Sequence, residues 1–510
     1  MRDMAGTKRE IERKYEATGD TELPDLTRAP GVARVTDEGV TELDAVYHDT
    51  PDLRLFADGL TLRRRTGGAD AGWHLKFPVA PGVRDELAAP LSDTLPRPLA
   101  ALLRSRVRTG RVVPLVRVRS SRDVRRLHAA DGTLLAELSV DTVHAVLLAG
   151  AGDGATADWT EIEVELADGA DPAVLDAVHK RLRKAGIRPA GAPSKLARAL
   201  TGAGLAPPPP ARPYEDGTAG AAVLAYVREQ VEAIVTLDPA VRRDLPDSVH
   251  GLRVACRRLR SALRTHRAVL DRTATDPIGD ELKWLAGQLG AARDQEVLTQ
   301  RLGARLDALP RTLRLGPVRA RLRAGSVARG AGARRAALAA LDSDRHLALL
   351  DRLDALLADP PARGAAHRPA PKVLARAVRG DHDRLAARIA HALSLDPGPE
   401  RDLALHAARK AAKRARYAAD AAVPTLGKPA KRLAKRVKAV QSLLGEHQDS
   451  VVARAALREL AVRAQGAGES AFTWGLLYGR EEAAAADAVR ALPEVWARAS
   501  APPLTAAPGH

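Results

Sequence analysis

Four consecutive prolines, Pro207–Pro210, lie inside "GLAPPPPARPYEDGTAG" at residues 204–220, and no other stretch constrains the chain as much. Proline lacks a backbone N–H and has a fixed φ, so neither a helix nor a central strand runs through such a segment. It forms a stiff extended spacer, which the glycines after it loosen. The 510 residues are therefore expected to build two separate bodies rather than one core. The expected division is a first domain over 1–203, a linker over 204–218, a second domain over 219–500 and a tail over 501–510.

The two sides differ in pattern. Before the linker, short alternating runs are separated by Gly, Asp and Pro: "REIERKYEA", "LDAVYHDT", "GLTLRRRTGG", "GWHLKFPV", "VPLVRVRSSR", "LLAELSVDTV" and "WTEIEVEL". Runs of this kind read as antiparallel strands, with two helical pieces at "LPRPLAALLRSRV" and "DPAVLDAVHKRLRKAG". After the linker come long Ala/Leu/Arg segments of helical period, broken near 360–371 by "PPARGAAHRPAP". The fold class expected is multi-domain α+β, an antiparallel β unit followed by an all-α unit.

The helical side repeats itself. "VHGLRVACRRLRSAL" from Val249 matches "LHAARKAAKRARYAA" from Leu405, and "LGAARDQEV" from Leu289 matches "LGEHQDSVV" from Leu444. The offset holds at about 155 residues, so this is a duplicated module of several helices and not a short solenoid unit.

Eighty Lys and Arg against 63 Asp and Glu leave a formal charge of +17, which calls for a polyanionic partner. The single cysteine, Cys256, excludes an internal disulfide and reads as a buried structural thiol. No apolar run is long enough to span a bilayer, and "MRDMAGTKREI" lacks the apolar stretch of a signal peptide. The expected location is the cytoplasm, without membrane attachment.

In the strand "EIERKYE", Glu10, Glu12, Lys14 and Glu16 share a face, with Ile11 and Tyr15 on the other. "LTLRRR" puts Arg63 and Arg65 on one face and turns Arg64 outward. "WHLKFP" supplies Lys76, "RSSR" supplies Arg122, and "EIEVEL" aligns Glu161, Glu163 and Glu165. A wet sheet face usually mixes Thr, Ser, Gln and Lys; here acids and bases are segregated strand by strand. That suits a closed barrel whose lumen takes a charged ligand. Arg and Lys clamp phosphoryl oxygens. Carboxylates alone would repel them, so the acidic strands point to a hard divalent cation bridging to phosphate. Asp49 in "HDTPD" reads as a turn former instead.

These strands together resemble the CYTH superfamily, the triphosphate tunnel metalloenzymes. "EIERK" fits the Glu-x-Glu-x-Lys signature, and "YHDTPDLRLFADGLTLRRRTGG", "GWHLKFP", "EIEVEL" and "SKLARAL" follow in the family's order over about residues 6–201. The resemblance implies an antiparallel β tunnel that binds a linear triphosphate with Mg²⁺ or Mn²⁺. By position it implies Glu10, Glu12, Glu161 and Glu163 as metal-side carboxylates. Glu10, Glu12, Lys14 and Lys76 would be the catalytic group, and Arg63, Arg65, Arg122 and Lys195 the phosphate binders. Arg84, Glu86, Glu137, Asp141 and Glu165 rank below these as tunnel residues.

In the helical side, His250, Arg253, Arg257, Arg260, Arg264 and Arg267 fall on one helix face, opposite Leu252, Leu259, Leu263 and Leu270. The second copy repeats the stripe with His406, Arg409, Lys413 and Arg416 over Ala408, Ala411, Ala415 and Ala419. "GKPAKRLAKRVKAV" adds Lys428, Lys431, Lys435 and Lys438 at the same spacing. One such stripe is usually a solvated face, whereas several in a duplicated module point to polyanion binding. Asp294 and Asp449, at matched places, suit helix caps or braces for the basic residues. This side resembles the CHAD domain, the conserved-histidine α-helical domain, over about 216–500. That resemblance implies two four-helix bundles with pseudo-twofold symmetry and a basic surface for inorganic polyphosphate. The second copy departs by Lys413 and Arg414 for Arg257 and Arg258, and by Gln448 for Arg293.

Both resemblances converge on condensed phosphate. The expected function is metal-dependent hydrolysis of tripolyphosphate, coupled to polyphosphate binding and to residence on polyphosphate granules. The alternatives are a non-catalytic polyphosphate binder, or a triphosphatase acting on thiamine triphosphate or nucleoside triphosphates. Nucleic acid ranks lower as a partner, because aromatic residues for base stacking make up only 3% of the chain.

Overall fold

The computed structural model describes residues 7–149 and 154–500, and the side chains of 291–293 and 324–331 lie outside that description, as do the tail 501–510 and residues 1–6. Two compact units part between Pro209 and Pro210, inside the proline segment.

The first unit is a closed barrel. Its strands are β1 (Lys8–Ala17), β2 (Arg34–Asp49), β3 (Thr61–Thr66), β4 (Gly72–Ala80), β5 (Val83–Ala89), β6 (Val113–His128), β7 (Leu134–Leu147) and β8 (Thr156–Leu166). They pair antiparallel in the order β1-β5-β4-β3-β2-β6-β7-β8. Strand β5 is one the alternation did not reveal. Arg84, Asp85 and Glu86 put charge at three successive positions and hide its period, because Arg84 and Glu86 face the lumen while Asp85 pairs outside with Arg9. Closure at β1–β5 depends on Gly82: its φ is +71°, and a Cβ there would lie 2.7 Å from the Glu12 carbonyl oxygen.

Among the described residues of this unit lie the α-helices α1 (Arg54–Ala57), α2 (Arg97–Val107), α3 (Ala173–Lys184) and α4 (Lys195–Gly202). Asp49 starts α1 and accepts hydrogen bonds from the backbone of Thr50, Leu55 and Phe56, which is the turn role its sequence suggested. Helix α3 lays Val174, Leu175, Val178 and Leu182 on Ile162, Val164 and Leu138. Over this arc the wall is dry outside and charged inside. Helix α4, capped by Ser194, buries Leu196, Ala199 and Leu200 against Ala45, Tyr47, Val116, Val118, Val143 and Ala145. Those strand residues alternate in step with the lumen-facing ones, so α4 plugs one end of the lumen.

The second unit consists of α5 (Ala219–Arg242), α6 (Ser248–Thr265), α7 (Arg272–Gln288), α8 (Gly290–Asp307), α9 (Val318–Leu341), α10 (Asp344–Ala358), α11 (Ala370–Leu393), α12 (Pro399–Leu426), α13 (Lys428–Gly466) and α14 (Phe472–Ser500). At the repeat offset α6 corresponds to α12, and α7 with α8 to α13. The break at Leu289–Gly290 is absent at Leu444–Gly445, and α13 runs about 58 Å without interruption at 1.5 Å per residue. One hydrophobic core spans both copies, including Leu252, Leu259 and Leu263 of α6 with Ala408, Ala412 and Ala415 of α12. Alanine on α12 permits this close approach of helices. The basic stripe is shorter than its period suggests: α6 stops at Thr265, so Arg267 and Leu270 lie beyond it. No helix among the described residues is long and apolar enough to cross a membrane.

Cys256 is fully buried in this core, and burial pushes its thiol up to about 12. Thiol reagents should therefore label the native protein at least 100-fold more slowly than the urea-unfolded chain, with pseudo-first-order labelling kinetics as the check.

Candidate functional site

The lumen encloses a cavity of about 790 Å³ lined by Glu10, Glu12, Lys14, Arg63, Arg65, Lys76, Arg122, Glu163 and Lys195, among others. Register explains the convergence. Glu12 stands opposite Glu165 and Lys14 opposite Glu163 across β1–β8, while Asp141 stands opposite Glu161 across β7–β8.

Asp141, Glu161 and Glu163 form a three-carboxylate group, with one ligand oxygen from each lying within 4.8 Å of the others. Lys195 reaches it from the first turn of α4, its Nζ 2.8, 2.7 and 2.8 Å from the carboxylates of Asp141, Glu161 and Glu163. Arg122 donates two hydrogen bonds of 2.7 Å to Asp141 and one of 2.7 Å to Glu163. Burial would raise the Glu163 and Asp141 carboxyls. The cations against them win, with Lys14, Lys195 and Arg122 holding Glu163 well below the usual range and Lys195 and Arg122 lowering Asp141. Burial likewise opposes the charge on Lys195, and the three carboxylates push its pKa up.

Glu10 and Glu12 do not belong to that group. Both oxygens of Glu10 lie 2.6 Å from Lys76 Nζ. Glu12 accepts from Lys14 at 2.8 Å and lies 3.9 Å from Arg84, and Lys14 also binds Glu163. Of the four carboxylates that the resemblance assigned to the metal, the structure thus gathers Glu161 and Glu163. It adds Asp141, which ranked below them in sequence. A divalent cation fits these residues: all donors are hard oxygens, and Glu161 Oε1 is buried without a hydrogen-bond donor. Lys195 is close to that oxygen but off the direction a hydrogen bond needs, and Trp159 Nε1 donates to Oε2 instead.

Arg63 and Arg65 both enter the cavity. Arg63 meets Tyr47 and lies 4.0 Å from Glu86, and Arg65 pairs with Asp70. Burial, with Arg63 and Arg122 nearby, pushes Arg65 down from the ordinary arginine value. The Nε atoms of both are buried and unpartnered. Arg64 points outward to the Ser92 carbonyl, as its alternation required. Tyr47 escaped the sequence reading, where a lone tyrosine in "AVYHD" looks like core. Burial raises its phenol, but Arg63 and Lys195 outweigh that and lower it.

On the helical unit, Arg253 donates to Gly290 O at 3.2 Å and Asp294 Oδ1 at 3.1 Å, and Arg409 donates to Asp449 Oδ1 at 3.4 Å. The two acids brace matched arginines. Matched glycines make room for them: a Cβ would lie 3.2 Å from Arg253 Nη2 at Gly290, and 3.5 Å from Arg409 Nη2 at Gly445. The two rails meet between α6 and α12. Burial, then Arg409 and Arg257, push Lys413 down to about 8; burial lowers Arg257 as well, with Arg253 and Arg409 adding to it. The Nε atoms of Arg253, Arg257, Arg260 and Arg409 are buried and unpartnered. Arg260 lies toward Asp280 of α7 with the exposed Arg264 near it, while Arg416 reaches Gln441 of α13 at 3.2 Å. His250 is exposed; His406 is half-buried beside Gln448, and burial with Lys410 lowers its pKa. Lys428, Lys431, Lys435 and Lys438 are exposed on α13. The Arg293 side chain, which Gln448 replaces, is outside the described residues.

A CYTH domain model matches residues 8–200 and a CHAD domain model matches 225–458. Two uncharacterized proteins of Mycobacterium tuberculosis, from strains CDC 1551 / Oshkosh and H37Rv, are each 41% identical over 488 residues, covering 92% of this chain and 92% of their own. Among solved structures, PptA from Streptomyces chartreusis is similar at 23% identity and a TM-score of 0.47, covering 55% of this chain and 99% of its own. The CHAD domain from the plant Ricinus communis is similar at 27% identity and a TM-score of 0.45, covering 58% of this chain and 96% of its own. With both domain models matched in order and relatives aligned across nearly the whole length, the chain belongs to the CYTH–CHAD proteins.

Proposed function

We propose that the barrel hydrolyses a linear triphosphate, with inorganic tripolyphosphate as the reference substrate, and that the helical unit binds inorganic polyphosphate. The observation that carries the first part is a three-carboxylate group whose Glu163 lines the lumen cavity together with Arg63 and Arg65, the Nε atoms of which are buried and unpartnered. Without ligand the lumen neutralises itself, each carboxylate held by a lysine or arginine. A triphosphate entering with its metal exchanges these pairs: phosphoryl oxygens take Lys14, Lys76, Arg63, Arg65, Arg122 and Lys195, and the carboxylates turn to the cation. Mg²⁺ or Mn²⁺ held by Asp141, Glu161 and Glu163 would supply charge neutralisation and an activated water. Glu10 and Glu12 hold Lys76 and Lys14 in position to receive phosphate. The α4 plug keeps bulk water from one end of the site.

On the helical unit the polymer would lie along the rails of α6 and α12, reaching His250, Arg260 and Arg264 in one copy and His406, Arg416, Lys431, Lys435 and Lys438 in the other. The proline segment would tether the hydrolase to polyphosphate chains or granules.

The test is phosphate release from tripolyphosphate with Mg²⁺ or Mn²⁺, and with chelator, on wild type and on Glu12→Gln. Metal-dependent release reduced about 100-fold or more in the variant supports the reading, a loss of the size seen for a preorganised charge contact. No release by the wild type in either metal would replace the hydrolase with a phosphate-binding tunnel.

A further inference from the structure

Strand β8 carries an aromatic residue on the face that holds its acids. Alternation puts Trp159 in line with Glu161, Glu163 and Glu165. It packs at the α4 end of the barrel, against the cluster that includes Leu196, Ala199 and Leu200. The ring is partly exposed, so its N–H could have been left to water. Instead Nε1 donates to Glu161 Oε2 at 2.7 Å, and Glu161 is buried.

The indole is itself held in place. Arg198 follows Lys195 by three residues on α4, so the two side chains leave the helix on the same side. Lys195 meets the three carboxylates. The Arg198 guanidinium lies 5.2 Å from the centroid of the Trp159 ring, with Nη1 2.7 Å from Glu16 Oε2. Glu16 stands opposite Glu161 across β1–β8 and accepts a hydrogen bond from Gly191 N at 3.2 Å. A chain of contacts thus runs from Glu16 through Arg198 and Trp159 to Glu161.

The two oxygens of Glu161 are left unequal. Oε2 is engaged by an N–H that only donates and does not titrate. Oε1 is buried without a donor and lies 2.7 Å from Lys195 Nζ, which also meets Asp141 and Glu163. Glu161 therefore has one oxygen to offer the three-carboxylate group. Denticity matters to the choice of cation. Mg²⁺ demands near-octahedral geometry and keeps several waters, whereas Ca²⁺ takes six to eight oxygens and readily accepts both from one carboxylate.

We propose that Trp159 sets the cation selectivity of the three-carboxylate group, holding Glu161 to a single ligand oxygen and so favouring Mg²⁺ and Mn²⁺ over Ca²⁺. This inference rests on the metal reading of that group. Trp159 is a positioning residue, acting through Glu161, and Arg198 with Glu16 fixes the ring that does so.

The test measures Mn²⁺ binding to the full chain from the paramagnetic resonance signal of the free ion, and Ca²⁺ binding by displacement of Mn²⁺. The proteins are wild type, Trp159→Phe, Arg198→Met and Glu161→Gln. Phenylalanine keeps an aromatic ring beneath Arg198 and removes the N–H; methionine at 198 keeps the N–H and frees the ring to turn. In Trp159→Phe the Mn²⁺ affinity should fall at least tenfold, the usual size for a partner of a metal ligand. Ca²⁺ affinity should stay within twofold, so the preference for Mn²⁺ drops about tenfold. Arg198→Met should shift the preference the same way by a smaller factor, and it decides alone if Trp159→Phe does not fold. A loss shared equally by both cations is what a merely structural role gives, and it would overturn the proposal, as would an unchanged preference. Glu161→Gln separates that failure from failure of the site. If it binds Mn²⁺ as the wild type does, or the wild type binds none, the metal reading itself fails and this inference falls with it.

Discussion

Asp141→Ala should destabilise the barrel by about 3–5 kcal/mol, the usual cost of removing one partner from a buried charge network. Asp141 is fully buried and holds both Arg122 and Lys195. Its loss leaves two buried cations against Glu161 and Glu163 alone. The readout is the urea midpoint of the barrel transition in the full chain, followed by the fluorescence of Trp73 and Trp159 with Trp284, Trp474 and Trp496 of the helical unit replaced by Phe. An unchanged midpoint would mean that water reaches the site and solvates the orphaned charges. The acid limb carries a sign as well. Asp141 and Glu163 have folded-state pKa values below their unfolded ones. Their stabilising contribution is therefore complete above about pH 4–5 and disappears as pH falls through the lowered values. Asp141→Asn should flatten that limb.

Exchanging Lys413 for Met should stabilise the ligand-free protein and weaken its hold on polyphosphate. Lys413 sits among Arg253, Arg257 and Arg409 with its pKa pushed down to about 8, so at neutral pH it carries a charge the fold disfavours. A shift of this size corresponds to about 2–3 kcal/mol, after allowing for partial exposure. Sign follows directly: a lowered folded pKa means the lysine destabilises below about pH 8, and the penalty fades as pH rises toward the unfolded value. Ligand-free Lys413→Met should thus melt at higher temperature at pH 7, and the gain should shrink above pH 9. With polyphosphate present that advantage should narrow by about 1.4 kcal/mol, the value of a tenfold loss of affinity. The variant loses one charge-assisted contact, its affinity falls about tenfold, and the slope of log K against log salt drops by about one. Equal polyphosphate affinity and slope in the two proteins would remove Lys413 from the binding surface.

Much of this was legible in the sequence, for identifiable reasons. Alternation marked the strands because the wall is dry on one face, as with Ile162 and Val164 beneath α3 and Glu161, Glu163 and Glu165 within. Strand β5 was hidden because both of its faces carry charge. The β-tunnel followed by a helical unit emerged from motif order and the internal repeat. Asp141 was undervalued for a non-local reason: an aspartate in "LSVDTV" looks ordinary until the β7–β8 register sets it opposite Glu161. Lys195 needed the family resemblance, since only the return of α4 into the lumen distinguishes it from any lysine at a helix start. The meeting of the two basic rails is likewise a property of packing between α6 and α12, invisible along either helix alone.

The matched placement of Arg253 with Arg409 and of Asp294 with Asp449 has a consequence for how a polymer is met. Inorganic polyphosphate has no direction: reversing the chain end for end leaves every phosphate as it was. A surface that places matched arginine–aspartate pairs on two copies would share that property. On the function proposed above, a strand lying across α6 and α12 would find equivalent partners whichever way it arrived. On that same reading, the duplication would thus give the helical unit a grip without a preferred orientation, where a single asymmetric copy would fix one.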